Sequence, residues 1–126
     1  MHIEAVAVVV PDYDAGIAFY VGTMGFVLLT DIDLGEGKRW VTVAPPGGGT
    51  ALLLAQAADD RQRGAIGNQT GGRVGFFLAT ADFAADHARM TAAGVIFEEQ
   101  PRQESYGIVA VFRDRFGNRW DLIERY

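Results

Sequence analysis

Cysteine is absent from the 126 residues. Disulfides, thiolate metal sites and a cysteine nucleophile are thereby excluded. Histidine is scarce, with two residues in the chain, which leaves little imidazole for a general base or a metal site. Basic charge is in deficit: 11 Lys and Arg stand against 16 Asp and Glu, a net charge of −5. No basic face suited to a phosphate backbone follows from that balance, and nucleic acid is not an expected partner. No apolar run reaches the ~18 residues of a membrane span. The N-terminal run has neither a charged n-region nor a cleavage site. A cytoplasmic protein without a membrane partner is expected.

What remains is globular. A hydrophobic fraction of 49% and a charged fraction of 21% suit one compact domain over residues 1–126 with a core of its own. "IEAVAVVV" is short and β-branched, as buried strands are. In "PDYDAGIAFYVGTMG" Asp12 is a good N-cap, Ile17, Tyr20, Val21 and Met24 recur at helical spacing, and Gly25 closes the helix. Three strands follow, "FVLLTDI", "RWVTVA" and "ALLLAQ", separated by the turn chemistry of "GEGK" and "PPGGG".

After a polar stretch from 57 to 70, with a helical turn expected around "AADDRQR", the order repeats. "RVGFFLAT" reads as a strand and "DFAADHARMTAAG" as a helix from Asp82 to Gly94. "VIFEE", "YGIVAVFRD" and "RWDLIE" read as strands. Cap to closing glycine spans 13 residues in the first half and 12 in the second, which points to an internal duplication. The chain is expected to be α+β: two βαβββ modules, about 1–56 and 71–126, joined by a linker of about 57–70. Their mixed sheet should be curved and cup-shaped, with helices on the convex face and the concave face free for a ligand.

Several local patterns carry no chemistry. "GEGKR" lacks the full phosphate-loop pattern and precedes a strand, so a hairpin turn is expected. No nucleophile elbow or Ser-His-Asp set is present. His87 lies mid-helix beside Phe83 and Met90 and reads as a packed residue.

The paired modules, the helix exits "AFYVGTMGF" and "RMTAAGV", and the closing "DRFGNRWDLIE" together resemble the vicinal oxygen chelate superfamily. That group includes glyoxalase I, bleomycin-resistance proteins, fosfomycin-resistance enzymes and extradiol dioxygenases. The resemblance spans essentially the whole chain and implies a homodimer, but no single reaction. Metal-dependent members place His, Glu, His or Gln, and Glu on the first, fourth, fifth and eighth strands, where a divalent ion polarises substrate oxygens. Carried onto this chain, those positions fall on Ala5, on Leu54 (with Leu53 as the alternative register), on Phe77 and on Asp121. Only Asp121 keeps a ligand-type side chain. His2 lies three residues before Ala5, on the opposite strand face. No divalent metal or other cofactor is therefore expected.

The resemblance also places the Asp121 side of the last strand inward, where Arg119 is expected to pair with it or to meet water. In strand 39–44, alternation sends Trp40 and Thr42 to one face and Arg39 and Val41 to the other, and either face could line the cavity. Arg102 and Tyr106 belong to the loop "EEQPRQESYG", near the cavity mouth in related proteins. The cavity set is thus Ala5, Ala7, Trp40, Thr42, Leu54, Phe77, Arg102, Tyr106 and Asp121. The favoured function is metal-free binding of a small organic molecule, with an antibiotic as one candidate class, by a homodimer. The alternatives are a lyase, isomerase or dioxygenase using Asp121 as base or residual metal ligand, and a scaffold protein.

Overall fold

The computed structural model describes residues 1–126. The chain divides into two compact units, Met1–Ile66 and Gly67–Tyr126, so the boundary falls inside the stretch read as a linker.

In the first unit, β1 (Ala5–Val10) leads into α1 (Tyr13–Ile17). Asp12 caps this helix, its Oδ1 accepting from Ala15 N at 2.7 Å. The helix then widens into a π-helical turn over Ala18–Thr23, marked by Met24 N donating to Phe19 O at 2.8 Å. The sequence stripe of Ile17, Tyr20, Val21 and Met24 assumed a regular helix. The wider turn instead buries Phe19, Tyr20 and Met24, and the Phe19 and Tyr20 rings meet edge to face at 5.1 Å. Strands β2 (Val27–Gly35), β3 (Lys38–Ala44) and β4 (Ala51–Gln56) complete a sheet of order β1-β4-β3-β2. β1 runs parallel to β4, and the other pairs are antiparallel. A short helix, α2 (Asp60–Ala65), follows, capped by Asp59.

The second unit repeats the plan. β5 (Val74–Ala79) is followed by α3 (Phe83–Ala92), whose cap Asp82 accepts from Ala85 N. β8 (Gly107–Arg113) and β9 (Arg119–Arg125) form the sheet centre, with β5 parallel to β9. The expected strand "VIFEE" is cut to β6 (Ile96–Phe97). Glu98 N still donates to Val111 O, but Val111 N turns to the Glu99 side chain at 3.1 Å, which ends the ladder. The chain then returns to the same edge as β7 (Arg102–Glu104), paired with Val109 to Gly107. Arg102 therefore sits in a strand, where the sequence suggested a loop.

The α+β class and the two βαβββ modules stand as expected, and hydrogen bonding gives each module its own sheet. In each unit the helix covers one sheet face. A Cβ on Gly16 would lie 2.9 Å from Leu54 Cδ1 and 3.3 Å from Val10 Cγ1, so α1 rests on the Val10/Leu54 side. In the second unit a run of rings carries α3 onto the sheet: Phe83, His87, Phe97, Phe112, Trp120 and Phe76, with successive centroids 4.2–5.7 Å apart. His87 is held between Phe83 and Phe97, a packed residue as the sequence suggested.

The closing turn is tied by one carboxylate. Buried Asp114 accepts from Phe116 N and Asn118 N at Oδ1, and from Asn118 Nδ2 and Trp120 Nε1 at Oδ2. Gly67 packs beneath this turn at φ +72°, and a Cβ there would lie 1.9 Å from Phe116 O. Only glycine fits that combination of backbone angle and close approach.

Candidate functional site

The faces turned away from the helices are the candidate binding surfaces. In the first unit, pairing aligns Ala7, Leu53, Thr42 and Thr30 in one row, and places Trp40 opposite Ile32 in the next. Alternation puts Ala5, Ala7 and Val9 on the same face of β1. The surface is apolar apart from one hydroxyl pair, Thr30 Oγ1 and Thr42 Oγ1, 2.6 Å apart. Trp40 is 42% exposed and Ile32 51%.

The question left open for strand 39–44 has a direct answer. Arg39 points to the α1 side, where it bonds Asp31 at 2.7 Å and Asp14 at 2.9 Å and stands over the Tyr13 ring. Trp40 and Thr42 therefore take the helix-free face.

Leu54 requires a correction. It pairs with Val8 and Val41 and packs under α1, almost fully buried. Leu53, one residue earlier, occupies the helix-free face, and a one-residue offset in a strand exchanges the two faces. The helix-side position was not distinguishable in "ALLLAQ", because three consecutive leucines hide the alternation.

In the second unit, Phe77 of β5, Asp121 of β9 and Val111 of β8 lie in one row, with Ala79, Ile123, Val109 and Arg102 in the next. Arg102 thus shares the face of Asp121. Phe77 is 68% exposed. Tyr106 lies at the end of this surface, its ring 5.6 Å from the Arg125 guanidinium.

Asp121 is the polar centre of this face, and the expected pairing with Arg119 does not form. Arg119 turns to Glu98 at 2.8 Å and to the carbonyl of Gly72, while Arg102 is held by Glu99 and Glu104. Asp121 Oδ1 is sealed from water and has no hydrogen-bond partner. Burial pushes the carboxyl above its ordinary range; Arg102 and Arg119 oppose the shift and Glu99 adds to it. Glu98, by contrast, is held below the usual carboxylate range by the Arg119 hydrogen bond. The Arg119–Glu98 bond was not legible in the sequence, since the two residues are 21 positions apart.

A metal site of the resembling enzymes needs several convergent N or O donors. The matching residues are Ala5, Leu53, Phe77 and Asp121, three of them hydrocarbon. Nowhere do three or more His, Cys, Asp or Glu side chains group so as to hold a metal ion. The donor set does not fit a divalent ion.

Fold and site together define a protein of two βαβββ modules, each with a helix-free sheet face, the second bearing ion pairs around one carboxylate, Asp121, that joins none of them. The chain belongs to the Glyoxalase/Bleomycin resistance protein/Dioxygenase superfamily, whose profile matches residues 2–122. An uncharacterised protein of Shewanella frigidimarina is 50% identical over 121 residues, 94% of this chain and 90% of that one. Among solved structures, TnmS3, an antibiotic binding protein from Streptomyces sp. CB03234, is 32% identical with a TM-score of 0.78, covering 100% of this chain and 97% of its own. A member of the same superfamily from Sphaerobacter thermophilus is 27% identical with a TM-score of 0.80, over 99% and 98% of the two chains. No helix is long and apolar enough to cross a membrane.

Proposed function

We propose that this chain is a metal-free binding protein for a small organic molecule, acting by sequestration rather than turnover. The observation that carries the reading is the donor set: hydrocarbon at Ala5 and Leu53 of the first unit and at Phe77 of the second, with Asp121 the one matching position that keeps a carboxylate. Exposed Trp40, Ile32 and Phe77 supply the flat apolar contact area that small-molecule sites use. The likeness to an antibiotic binding protein over the full chain supports the same function, with an antibiotic as one ligand class. A homodimer and a cytoplasmic location belong to this reading. Exposed Val27, Leu28, Leu29, Ile32 and Leu34 along β2 support self-association.

Calorimetric titration with Ni²⁺, Zn²⁺, Mn²⁺ and Fe²⁺ tests the metal-free part, and flat traces are expected for all four. Stoichiometric uptake that disappears in Asp121→Ala would sink it. Sedimentation velocity tests the dimer.

A second reading rests on the desolvated Asp121 carboxyl, which could take a proton from carbon beside a carbonyl. It lacks an electrophilic partner, because the nearby guanidiniums of Arg102 and Arg119 are each engaged by another carboxylate. Turnover of a carbonyl substrate that Asp121→Asn abolishes, with ligand affinity retained, would establish it over sequestration.

A further inference from the structure

Around Asp121, the helix-free face of the second unit carries more carboxylates than guanidiniums. Three guanidiniums, Arg102, Arg113 and Arg119, face four carboxylates, Glu98, Glu99, Glu104 and Asp121. Arg102 is bound by Glu99 and Glu104, and Glu98 by Arg113 and Arg119. Every one of these ions has an opposite partner except Asp121. The remaining cation of the face, Arg125, is four residues further along β9, about 13 Å at strand rise, beyond a physiological Debye length of about 8 Å. It is directed at Tyr106.

Asp121 is therefore the one carboxylate of the face without an ion pair, and Arg102 and Arg119 act on it only through space. Its Oδ1 is dry and unbonded, so that oxygen has lost hydration without gaining a partner. Directly across the pairing from β9 to β5 stands Phe77, the most exposed phenylalanine of the unit. An aromatic face attracts a cation by its quadrupole and a planar ring by stacking. An anion or a group without a donor hydrogen, buried against the accessible oxygen of Asp121, would leave that oxygen unpaired, and a neutral donor would bond it more weakly than a cation, whose hydrogen bond is charge-assisted.

From this juxtaposition we infer that the ligand is an aromatic or similarly flat organic monocation, its ammonium-type donor on Asp121 and its ring against Phe77. The inference rests on the small-molecule-binding reading above and narrows it to one charge class. It gives Asp121 a role in charge selection and leaves Phe77 to provide affinity without regard to charge.

Three probes of one skeleton and three charges test this: 2-naphthylmethylammonium, 2-naphthylmethanol and 2-naphthoate, titrated by calorimetry into the full-length wild type, Asp121→Asn and Phe77→Ala. The wild type is expected to bind the ammonium at least tenfold more tightly than the alcohol and to bind the carboxylate most weakly. Asp121→Asn keeps side-chain shape, so the alcohol affinity should hold while the ammonium preference falls to less than threefold. Phe77→Ala should weaken ammonium and alcohol together and preserve their ratio. Equal wild-type affinities for ammonium and alcohol, or a preference that survives Asp121→Asn, would overturn the inference and leave the binding reading standing. Absence of saturable binding by all three probes overturns it as well. The broader reading falls with it only if the divalent-metal titration also shows stoichiometric uptake.

Discussion

Replacing Asp114 by alanine should destabilise the second unit severely, although no part of the change touches a candidate binding surface. The carboxylate accepts four hydrogen bonds, at 3.0 Å from Phe116 N, 3.0 Å from Asn118 N, 2.8 Å from Asn118 Nδ2 and 3.2 Å from Trp120 Nε1. Hydrogen bonds to a charged group are each worth about 1.5–3 kcal/mol net, so a rigid protein would lose about 6–12 kcal/mol. Water entering the vacated space and relaxation of the turn reduce this, and broken buried networks typically cost about 3–5 kcal/mol. That is a large share of the roughly 5–15 kcal/mol by which domains are stable. Asp114→Asn keeps one acceptor oxygen but sets its NH₂ against the donors of Asn118 and Trp120, so about 2–3 kcal/mol is expected. Urea denaturation followed by tryptophan fluorescence measures both, and a thermal scan should show Asp114→Ala melting about 12–20 °C early at about 4 °C per kcal/mol. A cost below about 1 kcal/mol for Asp114→Ala would refute the view that this carboxylate holds the turn.

Gly67→Ala should cost at least about 2 kcal/mol, because the new methyl meets Phe116 O and the residue sits at φ +72°. Gly64→Ala, in α2 with open space around the added carbon, should instead stabilise by about 0.5–1 kcal/mol. Equilibrium unfolding of the two variants side by side checks the contrast. Asp121 is raised in the folded state, so the folded chain binds more protons there than the unfolded one between pH 3.8 and the raised value. Its contribution thus falls as pH rises through that window. Asp121→Asn should therefore be more stable than wild type at neutral pH, with the gain vanishing below pH 3.8, as urea midpoints across pH will show. For Glu98 the sign is opposite: its lowered value stabilises above the unfolded carboxylate range and is lost as pH falls through the folded value. In Arg119→Met the Glu98 carboxyl should titrate upward, measurable by NMR.

Much of the architecture was legible because it rests on local signals. Asp12, Asp59 and Asp82 each cap a helix through their own side chain, and an N-cap is chosen by a few consecutive residues. The repeat was legible because the two modules use nearly the same cap-to-glycine spacing, 13 and 12 residues. The π-helical turn was not, since the i→i−5 bond is selected by how Phe19 and Tyr20 pack on the sheet. The shortened β6 and the extra strand β7 were not legible either, because the Glu99 side chain, bonded twelve residues away at Val111, decides where the ladder breaks.

The sequence alone determined that this chain has no thiolate chemistry, no more than two histidines, and, by its resemblance to related enzymes, hydrocarbon where they keep metal donors. Those are statements about which atoms exist, and no fold can alter them. Tertiary structure decided which of Leu53 and Leu54 leaves the core, which face of β3 carries Trp40, and which carboxylate is left without a guanidinium. Alternation in a leucine run is ambiguous, and an ion's partner is chosen by distance in space. Arg119 is two residues from Asp121 in sequence, yet its bond goes to Glu98, 21 residues away.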